Sequence, residues 1–160
     1  SIVSQEILDL HQNNLVVHES SLPEGRGWSP LTWQVLEGKS RIPVTLFEAE
    51  QSVDSGVIYA QEKIELKGTE LVDELRKLQA QSTFQLCRRF IQSYPEILEQ
   101  SRNQEGEPTY YSRRKPADSK LDLEKPLSTQ FNLLRTVDNS RYPAWFQVDD
   151  VSYEIQIKRR

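Results

Sequence analysis

Methionine is absent from this 160-residue sequence, cysteine occurs once and glycine six times. The single thiol, Cys87, excludes an internal disulfide framework and suits a reducing compartment. No apolar run approaches the roughly 20 residues of a membrane-spanning helix. No signal-peptide pattern is read either, so a cytoplasmic location is expected. A basic surplus is also missing: 20 Lys and Arg stand against 24 Asp and Glu, a net charge of −4. Proteins that hold phosphate backbones do so with clustered cations, which makes nucleic acid a poor expectation for the chain as a whole. Ser1 opens a sequence with no methionine, which fits either a trimmed initiator or a piece of a longer protein. The length suits one domain, or one with a small appendage. A chain of this size buries roughly 70% of its unfolded surface, enough for a real core.

What is present is a series of short apolar runs closed by turns. Ser4 to Gln12 reads as a short helix with Ser4 as N-cap. Leu15 to His18 is continuously apolar up to its histidine, the pattern of a strand buried on both faces of a parallel sheet. Ser29-Pro30 predicts a helix start, with Ser as N-cap and Pro at the first helical position, and Gly38 its end. Arg41 to Glu48 predicts a second strand, with Pro43 at its entry or on an edge, and Val57 to Leu66 a further extended segment. Gly68-Thr69 opens the longest helix, whose core-facing stripe is read as Leu71, Leu75, Leu78, Phe84, Cys87 and Ile91. Tyr94-Pro95 ends it. Gln100 to Glu107 is polar and reads as a linker. The tail beyond predicts a helix over 128–137 and a strand pair around 144–147 and 152–157, with Asp149-Asp150 as the turn. Its expected anchors are Phe131, Leu134, Trp145, Phe146 and Tyr153. The division expected is 1–100 and 101–160.

Two apolar-to-turn junctions carry chemistry. The first delivers His18 to the loop 19–27; the second, 36 positions later, carries Asp54 in Val53-Asp54-Ser55-Gly56. Ligand sites in open α/β sheets gather just past the carboxyl ends of strands, and an imidazole there can act as acid, base or oxyanion donor. Alone, a histidine at a strand end is usually structural, and Asp before Ser-Gly is a common turn residue. Their joint placement makes the candidate site. No metal set is read, since His11 and His18 fall on different elements and Cys87 has no partner. There is no phosphate-cradling glycine loop and no Gly-x-Ser-x-Gly elbow. The run Arg113-Arg114-Lys115 reads as a solvated face that can also clamp a phosphorylated ligand.

The string His18-Glu19-Ser20-Ser21-Leu22-Pro23, then Arg26-Gly27, Pro30, Trp33 and Gly38, then Val44-Thr45 and Asp54-Ser55-Gly56, resembles the folate-dependent formyltransferases. That family's signature runs Asn-x-His-x-Ser-x-Leu-Pro, Arg-Gly, Gly-Val-Thr and Asp-Thr-Gly. In the tail, Pro108-Thr109-Tyr110-Tyr111, Arg113-Arg114-x-Pro116-x-Asp118-Ser119 and Arg135…Tyr142-Pro143-Ala144-Trp145-Phe146 look most like the sugar-modifying branch. The resemblance implies an α/β fold: a partial, Rossmann-like, three-layer sheet matching the second half of the catalytic domain, then a small α+β extension. It implies formyl transfer from N10-formyltetrahydrofolate to a primary amine, most readily on a nucleotide-linked amino sugar. His18 and Asp54 would be catalytic, Val53, Asp54, Ser55 and Gly56 would touch the folate, and Ser20, Leu22, Pro23, Arg26 and Gly27 the acceptor. Partners would be small molecules, with no membrane, and a homodimer is compatible. One position departs: Val16 stands where the motif has Asn. Initiator tRNA as acceptor, a hydrolase releasing formate, and a silent folate-binding or interaction module are the other readings.

Overall fold

The computed structural model describes residues 3–160. After a short helix α1 (Gln5–Leu8), the chain enters β1 (Leu15–His18), a two-residue strand β2 (Arg26–Gly27) and α2 (Pro30–Leu36). The hairpin β3 (Arg41–Glu48) and β4 (Ile58–Glu65) follows, then the long helix α3 (Val72–Gln92) and α4 (Glu96–Glu99). The sheet order is β1-β3-β4 and both pairings are antiparallel. Pro43 sits in the part of β3 that β1, which covers Thr45 to Glu48, does not reach. Its missing N–H therefore breaks no ladder on that side.

β3 is buried on both faces. Ile42, Val44 and Leu46 join Ala60, Ile64, Leu75, Leu86 and Phe90 in the main core, under α3. Phe47 faces the other way, into a small cluster with Leu22, Ile58 and Val16. A register shift between Leu46 and Phe47, where Ala60 and then Ile58 are the partners, brings Ile58 to that second face. Such a bulge turns a side chain that strict alternation would send elsewhere.

β1 corrects the sequence reading. Among the described residues it pairs only with β3, antiparallel, and its first three residues are exposed or half-buried. An apolar run reports side-chain type and not the direction or number of neighbours, so a half-covered strand reads like a covered one.

α3 also differs. It starts at Val72, not at Gly68-Thr69, because the Glu70 carboxylate accepts the N–H groups of Lys67 and Gly68 and holds 67–70 as a turn. Its buried side runs through Leu75, Ser82, Leu86 and Phe90, with Leu78 and Cys87 at the margin. Phe84 and Ile91 lie on the outer face, 74% and 73% exposed. Phe84→Ser is accordingly expected to change stability by less than about 0.5 kcal/mol in urea unfolding. A loss of several kcal/mol would restore the stripe read from periodicity.

The remaining chain forms β5 (Tyr110–Tyr111), 3-10 turns at Pro116–Ser119 and Leu127–Gln130, α5 (Phe131–Thr136) and the hairpin β6 (Ala144–Val148) with β7 (Val151–Ile155). Leu121, Leu134, Val137 and Ala144 make its core, with Phe146 and Ile155 packed against it. Of the expected anchors, Trp145 instead lies under the Lys120 ammonium, and Tyr153 stacks on Phe146 at the surface. Three ties hold this region to α3 and the turn before it. Arg135 meets Glu70 at 3.5 Å, both largely buried; Arg76 meets Asp138 at 2.7 Å; Arg159 meets Glu74 at 2.6 Å. Among the described residues no helix is long and apolar enough to cross a membrane.

Candidate active site

The two junctions meet. β1 ends on His18, which is 7% exposed and whose Nε2 lies 2.8 Å from the carbonyl oxygen of Gly25. A carbonyl only accepts, so Nε2 carries the ring hydrogen and Nδ1 is the nitrogen left for a ligand. The same Nε2 lies 3.8 Å from Asp54 Oδ2, ion-pair distance when the ring is protonated. The Asp54 carboxylate is fixed from the other side, where the Gly27 N–H donates to it at 2.8 Å. Strand β2 thus sets the acid, and the loop leading into β2 sets the histidine.

The loop is held by its backbone. β2 runs parallel to β5, with Arg26 N–H donating to Thr109 O and Trp28 N–H to Tyr111 O. At Gly27, φ is +98° and a Cβ would sit 2.6 Å from the Tyr111 carbonyl oxygen, so only glycine fits. Thr45 donates to Ser20 O at 2.6 Å and is itself bonded by Gln61. Gln79 holds the Glu19 carboxylate at 2.7 Å, and Gln34 holds the Glu19 carbonyl. Polar side chains from β3, β4, α2 and α3 therefore lock the residues that follow His18.

Asp54 itself adopts the left-handed region at φ +52°, a conformation that Asp tolerates better than most residues. Gln104 stabilises it by donating to the carbonyl oxygens of both Asp54 and Gly56 at 2.9 Å, while accepting from Arg26 at 2.6 Å. Gln104 comes from the stretch read as a linker. No periodicity marks it, because its partners are backbone carbonyls some 50 residues away.

Of the residues singled out in sequence, His18, Asp54, Arg26 and Gly27 come together here. Gly56 packs directly on the β3 backbone, Val53 is exposed, and the Ser55 hydroxyl turns back to Ser52 O. Leu22 and Pro23 are buried, Leu22 in the small apolar cluster beneath the site. Ser20 is buried as well, with a hydroxyl oxygen that has no partner among the described residues. Val16 shares the His18 face of β1 and packs in that same cluster. Asn14 does not substitute for it, since its side-chain amide donates to Leu8 O at 2.9 Å. No cluster of His, Cys, Asp or Glu among the described residues could hold a metal ion.

The chain is similar to several known proteins. A sequence model described as formyl transferase matches residues 1–88. A methionyl-tRNA formyltransferase from Clostridium thermocellum superposes with a TM-score of 0.75 at 25% identity, over 98% of this chain and 67% of that one. A 4-N formyltransferase from Francisella tularensis gives 0.74 at 19% identity, over 100% and 68%. HypX from Aquifex aeolicus in complex with tetrahydrofolic acid gives 0.68 at 18% identity, over 91% and 25%. The chain thus spans about two thirds of the length of the first two and a quarter of the third.

Proposed function

The chain belongs to the formyl transferase family, and from that premise we propose that it serves in formyl transfer from N10-formyltetrahydrofolate to a primary amine on a nucleotide-linked sugar. One observation carries this: an imidazole tied to Gly25 O lies 3.8 Å from a carboxylate that Gly27 holds in place. The donor supplies an activated formyl carbon. The amine nitrogen bonds to that carbon, the bond to the folate nitrogen breaks with its electron pair remaining on that nitrogen, and the proton shed by the attacking nitrogen ends on the folate nitrogen, so nothing else is consumed. In its protonated form the His18 ring offers Nδ1–H to the developing oxyanion, with Asp54 supplying the counter-charge. Asp54 orients the ring and accepts the shed proton. Val53, exposed beside that carboxylate, supplies apolar surface for the donor, with Ser55 and Gly56 shaping the turn.

Full-length protein given N10-formyltetrahydrofolate and a set of nucleotide amino sugars is expected to yield an N-formyl product. Tetrahydrofolate binding by calorimetry with no turnover on any amine would instead assign a silent binding module. Formate release without an amine would assign a hydrolase. Initiator tRNA is the second acceptor reading, favoured by the 25% identity to the methionyl-tRNA enzyme and opposed by the net charge of −4.

Val16 gives a sharper test. Asparagine there would share the His18 face and add a second oxyanion donor. Val16→Asn is expected to raise kcat about tenfold or more. It should cost about 1–3 kcal/mol of stability, since an amide replaces a methyl pair beside Leu22, Phe47 and Ile58. A rate that stays level would mean that another group already fills the donor's place.

A further inference from the structure

Asp54 is gripped twice, once by its carboxylate and once by its backbone, and the two grips close into a ring. The Gly27 N–H donates to Asp54 Oδ2 at 2.8 Å. Gln104 donates through Nε2 to the carbonyl oxygens of Asp54 and Gly56, each at 2.9 Å. Arg26, joined covalently to Gly27, completes the ring by donating from Nη2 to Gln104 Oε1 at 2.6 Å. Gln104 lies 50 positions from Asp54 and 78 from Arg26, so only folding brings the three together.

The direction of the amide follows from its partners. A guanidinium only donates and a carbonyl only accepts. The amide oxygen must therefore face Arg26, and its nitrogen the Asp54 turn. Without Arg26 nothing would stop the amide from turning its oxygen toward two carbonyls. Among side chains of this reach, no other offers two N–H donors beside an acceptor. Asp54 has need of such a partner, because φ +52° is a conformation few non-glycine residues hold unaided. Its carboxylate lies 3.8 Å from His18 Nε2, and a displacement of about 1 Å in a reacting constellation can cost as much as 10²-fold in rate.

The same stretch of chain reaches the other junction. Arg102 pairs with Ile58 through both its N–H and its carbonyl. Its guanidinium donates to Gln61, Gln61 to Thr45, and Thr45 to the Ser20 carbonyl two residues after His18.

Resting on the formyl-transfer reading for the part of Asp54 in turnover, we propose that Gln104 is a positioning residue for the reaction. Its amide, oriented by Arg26, sets the Asp54 carboxylate against His18. Arg26 then acts inside the protein, through Gln104, and not on the acceptor.

The test has a kinetic and a non-kinetic arm, both on the full-length protein. Gln104→Met keeps the reach of the side chain and removes its donors. It is expected to lower kcat about tenfold, with KM for the amine within twofold. Arg26→Met should do the same, and the double variant should lie within twofold of either single one, because one ring is broken once. Losses that multiply would overturn the proposal. So would an Arg26→Met that raises KM and spares kcat, the signature of a residue touching the acceptor. Gln104→Glu keeps the shape and the bond to Arg26 but turns an oxygen toward the carbonyls. It should be as slow as Gln104→Met, and full activity there would count against the assignment. Glu105→Gln, an exposed neighbour, should turn over as the parent does; an equal loss there would make the effect one of the whole segment and overturn it.

Hydrogen exchange reads the grip without turnover. The Gly27 amide, bonded to Asp54, should exchange at least tenfold faster in Gln104→Met, while the amide of Leu46, fully buried in β3, stays within twofold. Faster exchange at both amides, or at neither, would sink the positioning role. The two readings fail separately. A Gly27 effect in a protein that formylates no amine keeps the ring and removes the reaction. Formyl transfer indifferent to Gln104 keeps the reaction and removes the positioning.

Discussion

His18→Ala in the full-length protein is expected to lower kcat for formyl transfer by about 10²–10³, the effect of removing one oxyanion donor from a water-poor site. The substitution deletes the only ring at the end of β1 and leaves the acceptor's binding surface in place, so KM for the amine should move little. Stability should fall modestly, by about 1 kcal/mol, because the Gly25 carbonyl loses its 2.8 Å partner. Kinetics and thermal unfolding together separate the two effects. Asp54→Asn sharpens the assignment: an amide oxygen can still accept from Gly27 N–H, so the loop keeps its geometry while the charge disappears. A large loss of kcat there, with the melting temperature nearly unchanged, would show that the carboxylate's charge matters. Unaltered turnover in His18→Ala would remove this residue from the reaction, whatever the family.

Gly56→Ala is expected to be the most damaging single change to the fold of the site. A Cβ at this position would run into the carbonyl oxygen of Glu48. The strand cannot yield easily, since Glu48 N–H is bonded to Val57 O at 3.0 Å and its carboxylate is held by Tyr59 at 2.7 Å. The end of the β3–β4 hairpin must therefore separate, and Gln104 must release the carbonyls of Gly56 and Asp54. The expected cost is about 3 kcal/mol, or roughly 10 °C in melting temperature for a chain of this size. Because the turn carries Asp54, activity should fall with it. Ser55→Ala, one residue earlier, gives up only its hydroxyl's bond to Ser52 O, serves as the control and should stay within about 1 kcal/mol. Equal stability of the two variants would mean that the backbones do not approach as closely as described.

The sequence by itself determined the elements whose causes are local. Arg41 to Glu48 and the segment after the Asp54 turn are strands because strand-forming residues and the turn between them act within a few positions. Ser29-Pro30 starts a helix because proline's missing N–H costs nothing there, although Ser29 sits at φ +51° and makes no side-chain cap. His18 and Asp54 were legible as a pair at two turn junctions, which the structure brings within 3.8 Å, and the formyl transferase family was legible from the order of short motifs.

What only the tertiary structure decided depends on neighbours far away in the chain. Phe84 and Ile91 fit a helical stripe as well as Leu86 and Phe90 do, and only the position of the sheet under α3 chose between them. Among the described residues β1 has a neighbour on one side only, and that neighbour runs antiparallel, which no pattern within four residues could show. Gln104 carries no pattern at all, yet its amide spans two carbonyls and an arginine to set the Asp54 turn. The basic run 113–115 reads in sequence as a solvated face. Folding places it against Trp28 and Arg76, where charges that water would have screened share one small cleft.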